Sequence, residues 1–500
     1  MAAARERSLL EALAHWREFR ALVVGDFMLD ELVYGDAERL APDAPVPVLA
    51  VKRTERRAGG AANVCLDLVA MRAKVEAFGL VGRDSEGGAI RDALEQEGVS
   101  VEGIVDASDR PTTLKQSVIG LAQHRHPQKM FRVDRESCGP IAHADAGVLL
   151  DRFRRALPGA DVVLLEDYNK GVCSPEVCRA VIDAARAAGV PVLVDPAAIS
   201  DYSRYAHATC ITPNRSEAEK AGGAPAQSAD VVKAWGAVGT RLINAQKFEA
   251  VVLTLDREGA LLAQAGGRAT HVPTVARQVY DVTGAGDMVL AALAAARANG
   301  MTWEDATRFA NVAAGLEVEV FGVQPIPLER IHKSVLSLYG QVRGKERTLD
   351  EALVEVGALR REGKRVVFTN GCFDLLHAGH IGLLRFARGQ GDALIVGLNS
   401  DDSVRRLKGP ERPVQNEHDR ADILSELESV SMVIVFDEDT PMRLIEAVRP
   451  DVLVKGGDYA QDEVVGGEFV KAGGGKVVLA PLTQGRSTTS VVARIKGRAD

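Results

Sequence analysis

A series of short apolar runs, each closed by a polar residue, constrains the fold more than any other feature of this sequence. In chain order the runs are ALVVGD, DVVLLED, VPVLVDP, EAVVLTLD, RVVFTNG, ALIVGLN, MVIVFDE and VLVKGGD. Between most of them lie helical patterns such as SPEVCRAVIDAARAAG and HIGLLRFARGQG. Strands that are apolar throughout and alternate with helices belong to parallel sheets covered on both faces. The pattern predicts an α/β chain made of two doubly wound domains.

The domain organisation follows from length and from one break in the pattern. A chain of 500 residues is too long for one ordinary core. The charged stretch from about residue 324 to 350 has no strand pattern, so we predict a first domain over 1–325, a linker over 326–347 and a second domain over 348–500. Within the first domain, the proline-punctuated segment FMLDELVYGDAERLAPDAPVPVLAVKRTERRAGG predicts a small antiparallel β-lid.

Composition excludes several classes of protein. The net charge of −8 argues against a nucleic-acid surface, and no run approaches the roughly 18 apolar residues of a membrane span. The six cysteines form no C-x-x-C pair, which is typical of reduced thiols. The first residues lack the apolar core of a signal peptide. We therefore expect a cytoplasmic protein that binds small molecules rather than nucleic acid or membrane.

Ligands of open α/β sheets bind beyond the carboxyl ends of the strands. The polar residues that close the apolar runs are therefore placed where chemistry would happen. They include Asp26, Asp167, Asp195, Thr254, Asn370 and Lys455.

The segment DVTGAGD precedes a long Ala-rich helix. In it, Gly284, Ala285 and Gly286 allow backbone N–H groups to converge on an anion at the helix N-terminus. Asp287 would then lie beside that anion, ionised and suited to accept a proton from an attacking hydroxyl. The motif taken alone is equally compatible with Asp287 serving only as a helix cap.

Four further motifs supply small and polar groups. GGAAN opens an early helix with Asn63, and TPNRSEAE places Asn214 and Glu217 one turn apart, a plausible seat for hydrated Mg²⁺. TLDREGA and ANVAAG follow later in the domain. Their candidate residues are Thr254, Gly259 and Asn311.

The order of GGAAN, TPN..E, T....G, TGAGD and AN.AAG resembles that of the ribokinase-like carbohydrate kinases, over roughly residues 10–325. The resemblance implies a sugar kinase dependent on Mg²⁺ and ATP. It also implies that Asp287 is the base, that the amides of 284–286 form the anion hole and that the later motifs surround the nucleotide.

The segments VVGDFMLDELVYG, APDAPVPVL, RPTTLKQSVIG, FRVDRE and EDYNKGV resemble the heptose-7-phosphate kinases more closely still. The implied substrate residues are Asp26, Asp30, Gly59, Gly60, Asn63 and Asp167. Candidates for the distal phosphate are Lys115, Arg132 and Lys170. For these three, an ordinary solvated surface is the alternative. Where the resemblance leads us to expect a lysine after VDP, this chain has Ala197.

A second constellation lies in FTNGCFDLLHAGH, which reads as strand, turn and helix. His377 and His380 share one helix face near the N-terminus, where imidazoles can donate to triphosphate oxygens. Zinc binding would need a third ligand, and no His or Cys has the companion spacing. Downstream, Arg406, Lys408 and Arg412 lie in a Gly/Pro segment that predicts a mobile basic flap.

The segment GRSTTSVVARI places Ser487 and Thr488 at a helix start, as an anion site or as a plain N-cap. Residues 348–500 resemble the cytidylyltransferase-like nucleotidyltransferases, and the longer strings resemble heptose-1-phosphate adenylyltransferases. The implied catalytic residues are His377, His380 and Lys408, because a sugar phosphate oxygen needs no general base to attack ATP. The implied nucleotide-binding residues are Thr369, Asn370, Gly371, Phe373, Asp374, Arg412, Lys455, Ser487 and Thr488.

The whole chain thus resembles the bifunctional heptose-7-phosphate kinases/heptose-1-phosphate adenylyltransferases of ADP-heptose synthesis. This implies ATP and Mg²⁺ as cofactors, heptose phosphates as substrates and a homodimer formed through the β-lid. Two alternatives remain from the sequence. One is a different sugar kinase fused to a cytidylyltransferase that uses CTP, and the other is a kinase-dead scaffold that retains only nucleotidyl transfer.

Overall fold

The computed structural model describes residues 8–107, 109–122, 125–274, 282–319, 324–340, 344–457 and 464–481, without the side chains of 122–126. The described chain divides into two compact units. The first consists of the described parts of 1–9 and 17–331, and the second of 10–16 and the described parts of 332–500. Two of the three division points lie in helices α1 (Leu9–Ala14) and α10 (Leu328–Tyr339), and α10 lies in the predicted linker.

Thirteen strands of the first unit are described. They are β1 (Phe19–Gly25), β2 (Phe27–Leu40), β3 (Pro47–Gly60), β4 (Ala73–Gly82), β5 (Ser100–Ala107), β6 (Thr113–Ala122), β7 (Arg125–Arg135), β8 (Val162–Glu166), β9 (Val192–Asp195), β10 (Cys210–Ile211), β11 (Ala250–Thr254), β12 (Ala260–Gln264) and β13 (Arg268–Val272). The helices are α2 (Ala61–Ala70), α3 (Ser85–Gln96), α4 (His143–Ala156), α5 (Pro175–Ala187), α6 (Arg215–Gly222), α7 (Val231–Gln246), α8 (Ala285–Ala298) and α9 (Trp303–Glu317).

Nine of these strands form one sheet in the order β13-β12-β11-β10-β9-β8-β1-β4-β5. Pairing is parallel from β5 to β11 and antiparallel for the last two strands. The other four strands form a separate sheet in the order β3-β2-β6-β7, which we call the lid. The predicted antiparallel excursion is confirmed for β2 and β3, whereas the parallel pairing of β2 with β6 was not predicted.

Local sequence explains why the elements begin where they do. Pro175 occupies the first turn of α5, and the Ser174 hydroxyl accepts the Val177 N–H at 3.2 Å, as an N-cap does. Helix α8 is buried at every residue from Asp287 to Ala296. Apart from Asp287, the side chains of this stretch are all apolar, so every face of the helix is apolar. A helix that is apolar all round lies inside a core, so α8 places Asp287 at the buried end of its first turn, directly after the exposed Gly286.

The second unit has one five-stranded parallel sheet, in the order β16-β15-β14-β17-β18. Its strands are β14 (Val366–Gly371), β15 (Ala393–Asn399), β16 (Met432–Phe436), β17 (Val452–Gly456) and β18 (Lys476–Ala480). Its further helices are α11 (Leu349–Arg361), α12 (Ala378–Arg388), α13 (Asp401–Lys408), α14 (Glu417–Ser425), α15 (Met442–Val448) and α16 (Gly467–Ala472). The predicted α/β class is confirmed. Within the part of the chain that is described, no helix is both long and apolar enough to span a bilayer.

Candidate active sites

Asp287 lies in the first turn of α8 and is buried. The Asn63 amide donates to its Oδ2 at 2.9 Å, and the Tyr168 hydroxyl donates to its Oδ1 at 2.7 Å. Burial raises the pKa of Asp287 to about 6, and the two hydrogen bonds counteract part of that rise. The carboxylate is therefore ionised at neutral pH yet basic enough to take a proton from a hydroxyl.

The residues before Asp287 adopt the backbone that an anion site needs. Gly284 has φ 89°, a left-handed conformation that costs glycine little, and it stands at the N-cap position of α8. Ala285 and Gly286 follow it and line a large cavity. The N–H groups of this first turn have no partners within the helix and can donate to phosphate oxygens.

That cavity has a volume of about 1150 Å³, ample for a nucleotide. It brings together six residues that the sequence predicted for nucleotide or metal binding and for the anion hole: Asn214, Thr254, Gly259, Ala285, Gly286 and Asn311. Apolar side chains that the sequence analysis missed complete its wall, and they include Val252, Val289 and Val318. Gly259 has φ 88°, and a Cβ there would come within 2.3 Å of the Val272 carbonyl oxygen.

Asn214 and Glu217 form a capping box on α6. The Asn214 side chain accepts the Glu217 N–H at 3.1 Å, and Glu217 Oε2 accepts the Asn214 N–H at 2.8 Å. Burial raises the pKa of Asp195 well above its usual value, and the neighbouring Glu217 raises it further. Closely placed carboxylates beside a nucleotide cavity are the oxygen donors that Mg²⁺ prefers, so these residues fit the cation that the family implies.

Asp26 and Asp167 both organise the loop after β8. Asp26 is buried and accepts the backbone N–H groups of Tyr168, Lys170 and Val172 at 3.0, 2.8 and 3.1 Å. Asp167 accepts the backbone N–H of Asn169 at 2.7 Å, the Arg204 guanidinium at 3.1 Å and the Tyr205 hydroxyl at 2.5 Å. These bonds hold the loop that presents Tyr168 to Asp287. The predicted sugar contacts of both carboxylates stay predictions.

The lid brings basic side chains over the first site. By strand register, Asp30 pairs with Lys115 on the neighbouring strand, and the Lys115 ammonium lies 4.5 Å from the centre of the Tyr168 ring. Burial raises the pKa of Asp30, and Lys115, Lys129 and Arg132 counteract that rise. Lys129 is therefore near this group, although the sequence analysis did not single it out.

The other two predicted phosphate residues already have acidic partners. Arg132 donates through Nε and a terminal nitrogen to Asp134, each at 2.8 Å, and the Lys170 ammonium lies 2.7 Å from Glu136. A distal phosphate would compete with these carboxylates.

Gly59 and Gly60 allow the end of β3 to approach its neighbours. A Cβ at Gly59 would lie 2.5 Å from the Asp30 carboxylate, and one at Gly60 would lie 2.6 Å from the Asp26 carbonyl oxygen. Gly60 also has φ 56°, which disfavours other residues.

In the second unit, His377 and His380 stack at the start of α12. Their ring centres are 3.9 Å apart, and His377 Nδ1 accepts the Gly379 N–H at 3.2 Å as the N-cap. Nδ1 of His380 is buried and has no hydrogen-bond partner among the described residues. Burial lowers the pKa of His380 to about 4, and His377 contributes in the same direction. A bound polyanion would oppose both effects.

The end of β14 leaves further polar atoms without partners. Thr369 Oγ1 and Asn370 Oδ1 are buried, and neither has a hydrogen-bond partner in the described part of the chain. Lys455 Nζ lies 3.5 Å from the Asn370 carbonyl oxygen, and Gly371 follows directly. Buried polar atoms are almost always satisfied in folded proteins, so these atoms mark a place that suits a polar ligand.

The predicted flap is tied to the loop after β14 through Asp374. This buried carboxylate pairs with the Arg412 guanidinium and accepts the N–H groups of Val414 and Gln415 at 2.7 and 3.2 Å. Phe373 has φ 42°, and its ring centre is 5.2 Å from that of His380.

Lys408 also lies near this loop, whereas Arg406 does not join it. Burial raises the pKa of the Cys372 thiol, and the Lys408 charge lowers it. Arg406 instead donates to Asp439 at 2.7 Å. The predicted anion site at Ser487 and Thr488 lies outside the described residues.

Sequence reasoning missed Arg420, the largest fully buried side chain described. Its guanidinium donates to the carbonyl oxygens of Cys372 and Asn399 at 2.6 and 2.9 Å and to Asp401 at 2.6 Å. It thereby fixes the loop after β14 against the end of β15. In the sequence, Arg420 stands among other charged residues of a helical pattern, where an arginine is expected to be solvated.

Each of the two units matches a family of known proteins. Residues 19–330 match the pfkB family of carbohydrate kinases, and residues 368–488 match the cytidylyltransferase-like family. The chain is 44% identical to the bifunctional protein HldE of Geobacter sulfurreducens over 98% of both chains, and 44% identical to that of Paramagnetospirillum magneticum over 98% of this chain and 99% of the relative.

Solved structures support the fold of the first unit. Phosphofructokinase-2 of Escherichia coli is 18% identical with a TM-score of 0.53, covering 64% of this chain and 99% of its own. Arabidopsis thaliana ribokinase, solved with ribose and ATP, is 22% identical with a TM-score of 0.50 over the same shares.

Proposed function

The chain belongs to the family of bifunctional HldE proteins, and from that premise we propose which of its residues carry each of two reactions. It is a carbohydrate kinase joined to a nucleotidyltransferase. The kinase phosphorylates D-glycero-β-D-manno-heptose 7-phosphate at C1 with ATP. The nucleotidyltransferase transfers AMP from ATP to D-glycero-β-D-manno-heptose 1-phosphate, giving ADP-heptose and pyrophosphate.

The kinase assignment rests on the hydrogen bonds that Asn63 and Tyr168 donate to the Asp287 carboxylate. Asp287 accepts the proton of the C1 hydroxyl as that oxygen attacks the γ-phosphorus of ATP. Asn63 and Tyr168 orient the carboxylate, and the N–H groups of 284–286 stabilise the charge on the transferring group. ATP occupies the cavity lined by Thr254 and Asn311.

Mg²⁺ would be held near Asp195 and Glu217, where it would neutralise phosphate charge. The lid closes the sugar side of the site. Lys115 and Arg132 face the substrate there and compensate its distal phosphate, together with Lys129. Lys170 is the further candidate.

In the second unit, the nucleotidyltransferase assignment rests on the buried polar atoms of Thr369, Asn370 and His380 that have no hydrogen-bond partner among the described residues. His377, His380 and Lys408 bind the triphosphate and stabilise the pyrophosphate as it leaves. The attacking sugar phosphate oxygen is already anionic, so positioning takes the place of base catalysis. Thr369, Asn370 and Lys455 border the nucleotide, and the flap held by Asp374 and Arg412 covers it.

One substitution in each unit tests this division of labour. Asp287→Asn should lower kinase turnover by the ~10²- to 10⁴-fold typical of losing a general base, while adenylyl transfer stays unchanged. His380→Ala should lower adenylyl transfer and spare the kinase. Both reactions are followed by mass spectrometry of the products. Equal damage to both reactions by either substitution, in a protein with unchanged circular dichroism, would refute the assignment.

We propose further that the protein is a cytoplasmic homodimer joined through its lids. Exposed apolar residues support this surface: Val51, Phe131 and Val133 are about half exposed. By strand register all three lie on the face of the lid opposite Asp30. Phe131→Asp should convert a dimer into a monomer in sedimentation velocity, and a monomeric wild-type chain would contradict the proposal.

A further inference from the structure

Asp67 is a buried acid on α2 to which the two proposed reactions give no role. It follows Asn63 by one helical turn, so the two side chains share one face of α2. None of the Asp67 surface is exposed. The Asn63 amide nitrogen donates to Asp67 Oδ2 at 3.4 Å and to Asp287 Oδ2 at 2.9 Å. One amide nitrogen thus joins Asp67 to the carboxylate that we assign as the kinase base.

This arrangement fixes which end of the Asn63 amide faces Asp287. An amide has two donors on its nitrogen and only acceptor sites on its oxygen. When the nitrogen faces the two carboxyl groups, both of its N–H groups find an acceptor. If the amide were turned by half a rotation, its oxygen would face the Asp287 carboxylate and repel it. Asp67 therefore adds to the free energy that keeps the Asn63 donor directed at Asp287.

The surroundings of Asp67 give it no comparable alternative role. Its Oδ1 is buried and has no hydrogen-bond partner among the residues that the structure describes. Asp167, by contrast, has the Arg204 guanidinium at 3.1 Å and the Tyr205 hydroxyl at 2.5 Å. A buried carboxyl group without such compensation lowers stability. The hydrogen bond from Asn63 is therefore the contribution of Asp67 that the described contacts reveal.

The charges around Asp67 make it a neutral acceptor. Burial raises the pKa of Asp67 well above its usual value, and Glu317 and Asp287 raise it further. Glu317 is itself only 1% exposed. Acids this close in a dry site cannot all be ionised, so Asp67 holds a proton at neutral pH. Because Oδ2 accepts from Asn63, the proton belongs on Oδ1, and Asp67 orients Asn63 without adding a negative charge beside the base.

We propose that Asp67 is a positioning residue of the kinase, which holds the Asn63 amide with its nitrogen towards the Asp287 carboxylate. The inference rests on the proposed role of Asp287 as the base, and it adds the residue that orients one of the two donors to that base. It also gives the Asn63 carbonyl oxygen a direction. That oxygen is turned away from both carboxyl groups and can accept a hydrogen bond from a sugar hydroxyl.

The test compares two variants of similar shape. Asp67→Leu keeps the branched side chain and removes the acceptor, so kcat of the kinase should fall about fivefold or more, the rate equivalent of one ~1 kcal/mol hydrogen bond. Asp67→Asn keeps a neutral acceptor and should restore most of the lost turnover. KM for ATP should stay near the wild-type value in both, because no described residue of α2 lines the nucleotide cavity. Asp183→Leu, which changes an exposed carboxylate on α5, is the control and should match the wild type.

A double-mutant cycle separates positioning from a structural role. In the Asn63→Ala background the amide that Asp67 holds is absent, so adding Asp67→Leu should cost no further turnover. Melting temperature and adenylyl transfer show whether each variant is folded, and Asp67→Ala replaces Asp67→Leu if the larger side chain prevents folding. The inference is overturned if the variant without an acceptor keeps the wild-type kcat, if Asp67→Asn is equally slow, or if the loss is as large in the Asn63→Ala background.

Failure of the proposed function would give a different result. If Asp287 were not the base, Asp287→Asn would keep its kinase turnover, whatever the variants of Asp67 do. If Asp287→Asn is inactive while Asp67→Leu turns over as the wild type does, the base assignment stands and only the role of Asp67 is refuted.

Discussion

At the scale of single residues, the base of the kinase is held by neutral donors. Asn63 and Tyr168 each donate to one oxygen of Asp287, so the carboxylate is oriented without the strong pKa depression that a contacting cation would cause. Burial then sets its pKa at about 6. A base needs this combination, because a carboxylate tied to arginine would be fixed in place but too weak to accept a proton.

The kinase should therefore lose activity in acid. Asp287 acts only when ionised, so kcat/KM for the kinase should fall about tenfold per pH unit below about pH 6. Tyr168→Phe removes a donor that favours the ionised form, so it should move this acid limb to higher pH. Tyr202→Phe is the control, since its hydroxyl has no hydrogen-bond partner in the described chain. An acid limb that stays in place in Tyr168→Phe would contradict the assignment.

Sequence reasoning reached the residues that stand in Gly-rich or paired motifs. Asp287, Asn63 and the two histidines fall in this class. It missed Tyr168 and Arg420, because their roles depend on which strands become neighbours. A tyrosine after an aspartate, or an arginine on a charged helix, carries no local signal of such a role.

At the scale of elements, loops beyond the strand ends carry both sites, and buried carboxylates hold those loops in place. Asp26 accepts three N–H groups from the loop after β8, and Asp374 accepts two N–H groups and an arginine from the flap. Both carboxylates come from the first residues beyond a sheet strand. The same device therefore appears once in each unit.

Asp26→Ala should loosen the first of these loops. Each buried N–H group left without a partner costs about 1–3 kcal/mol, so the free energy of unfolding of the first unit should fall by several times the effect of an exposed control such as Asp183→Ala. Kinase turnover should fall as well, because Tyr168 lies in the released loop, while adenylyl transfer should persist. Urea denaturation and both product assays measure this. An Asp26→Ala variant with full stability and full kinase activity would show that Asp26 does not hold this loop in place.

Asp374→Asn should release the flap. Losing the ion pair with Arg412 should raise KM for ATP in adenylyl transfer more than it lowers kcat, because the flap binds the triphosphate. Asp402→Asn, on an exposed turn of α13, is the control. An unchanged KM for ATP in Asp374→Asn would show that the flap does not bind the nucleotide.

The strands could be predicted from the sequence where they form continuous apolar runs. All eight apolar runs form strands, because continuous β-branched sequence has few alternatives. The two-residue β10, the antiparallel pair β12–β13 and the lid strands β6 and β7 were not predicted. None of these segments is a continuous β-branched run, and β10 has only two residues, so their conformation depends on pairing with other strands, which local pattern does not reveal.

At the scale of the whole molecule, each unit has its own sheet of mainly parallel strands and its own site at the strand ends. The order of the units matches the order of the chemistry, since the kinase supplies a C1 phosphate and the nucleotidyltransferase consumes a sugar 1-phosphate. The 7-phosphate has to be removed between the two steps. That removal calls for a separate phosphatase.

The most direct test of the two-site account is product analysis by mass spectrometry. Purified protein is given Mg-ATP and D-glycero-β-D-manno-heptose 7-phosphate, and a sugar phosphatase is then added. The account predicts heptose 1,7-bisphosphate first and ADP-heptose only after the phosphatase acts. Asp287→Asn should stop the sequence at its start, and supplied heptose 1-phosphate should restore ADP-heptose. Failure of the wild type to form the bisphosphate, or failure of heptose 1-phosphate to rescue Asp287→Asn, would contradict it.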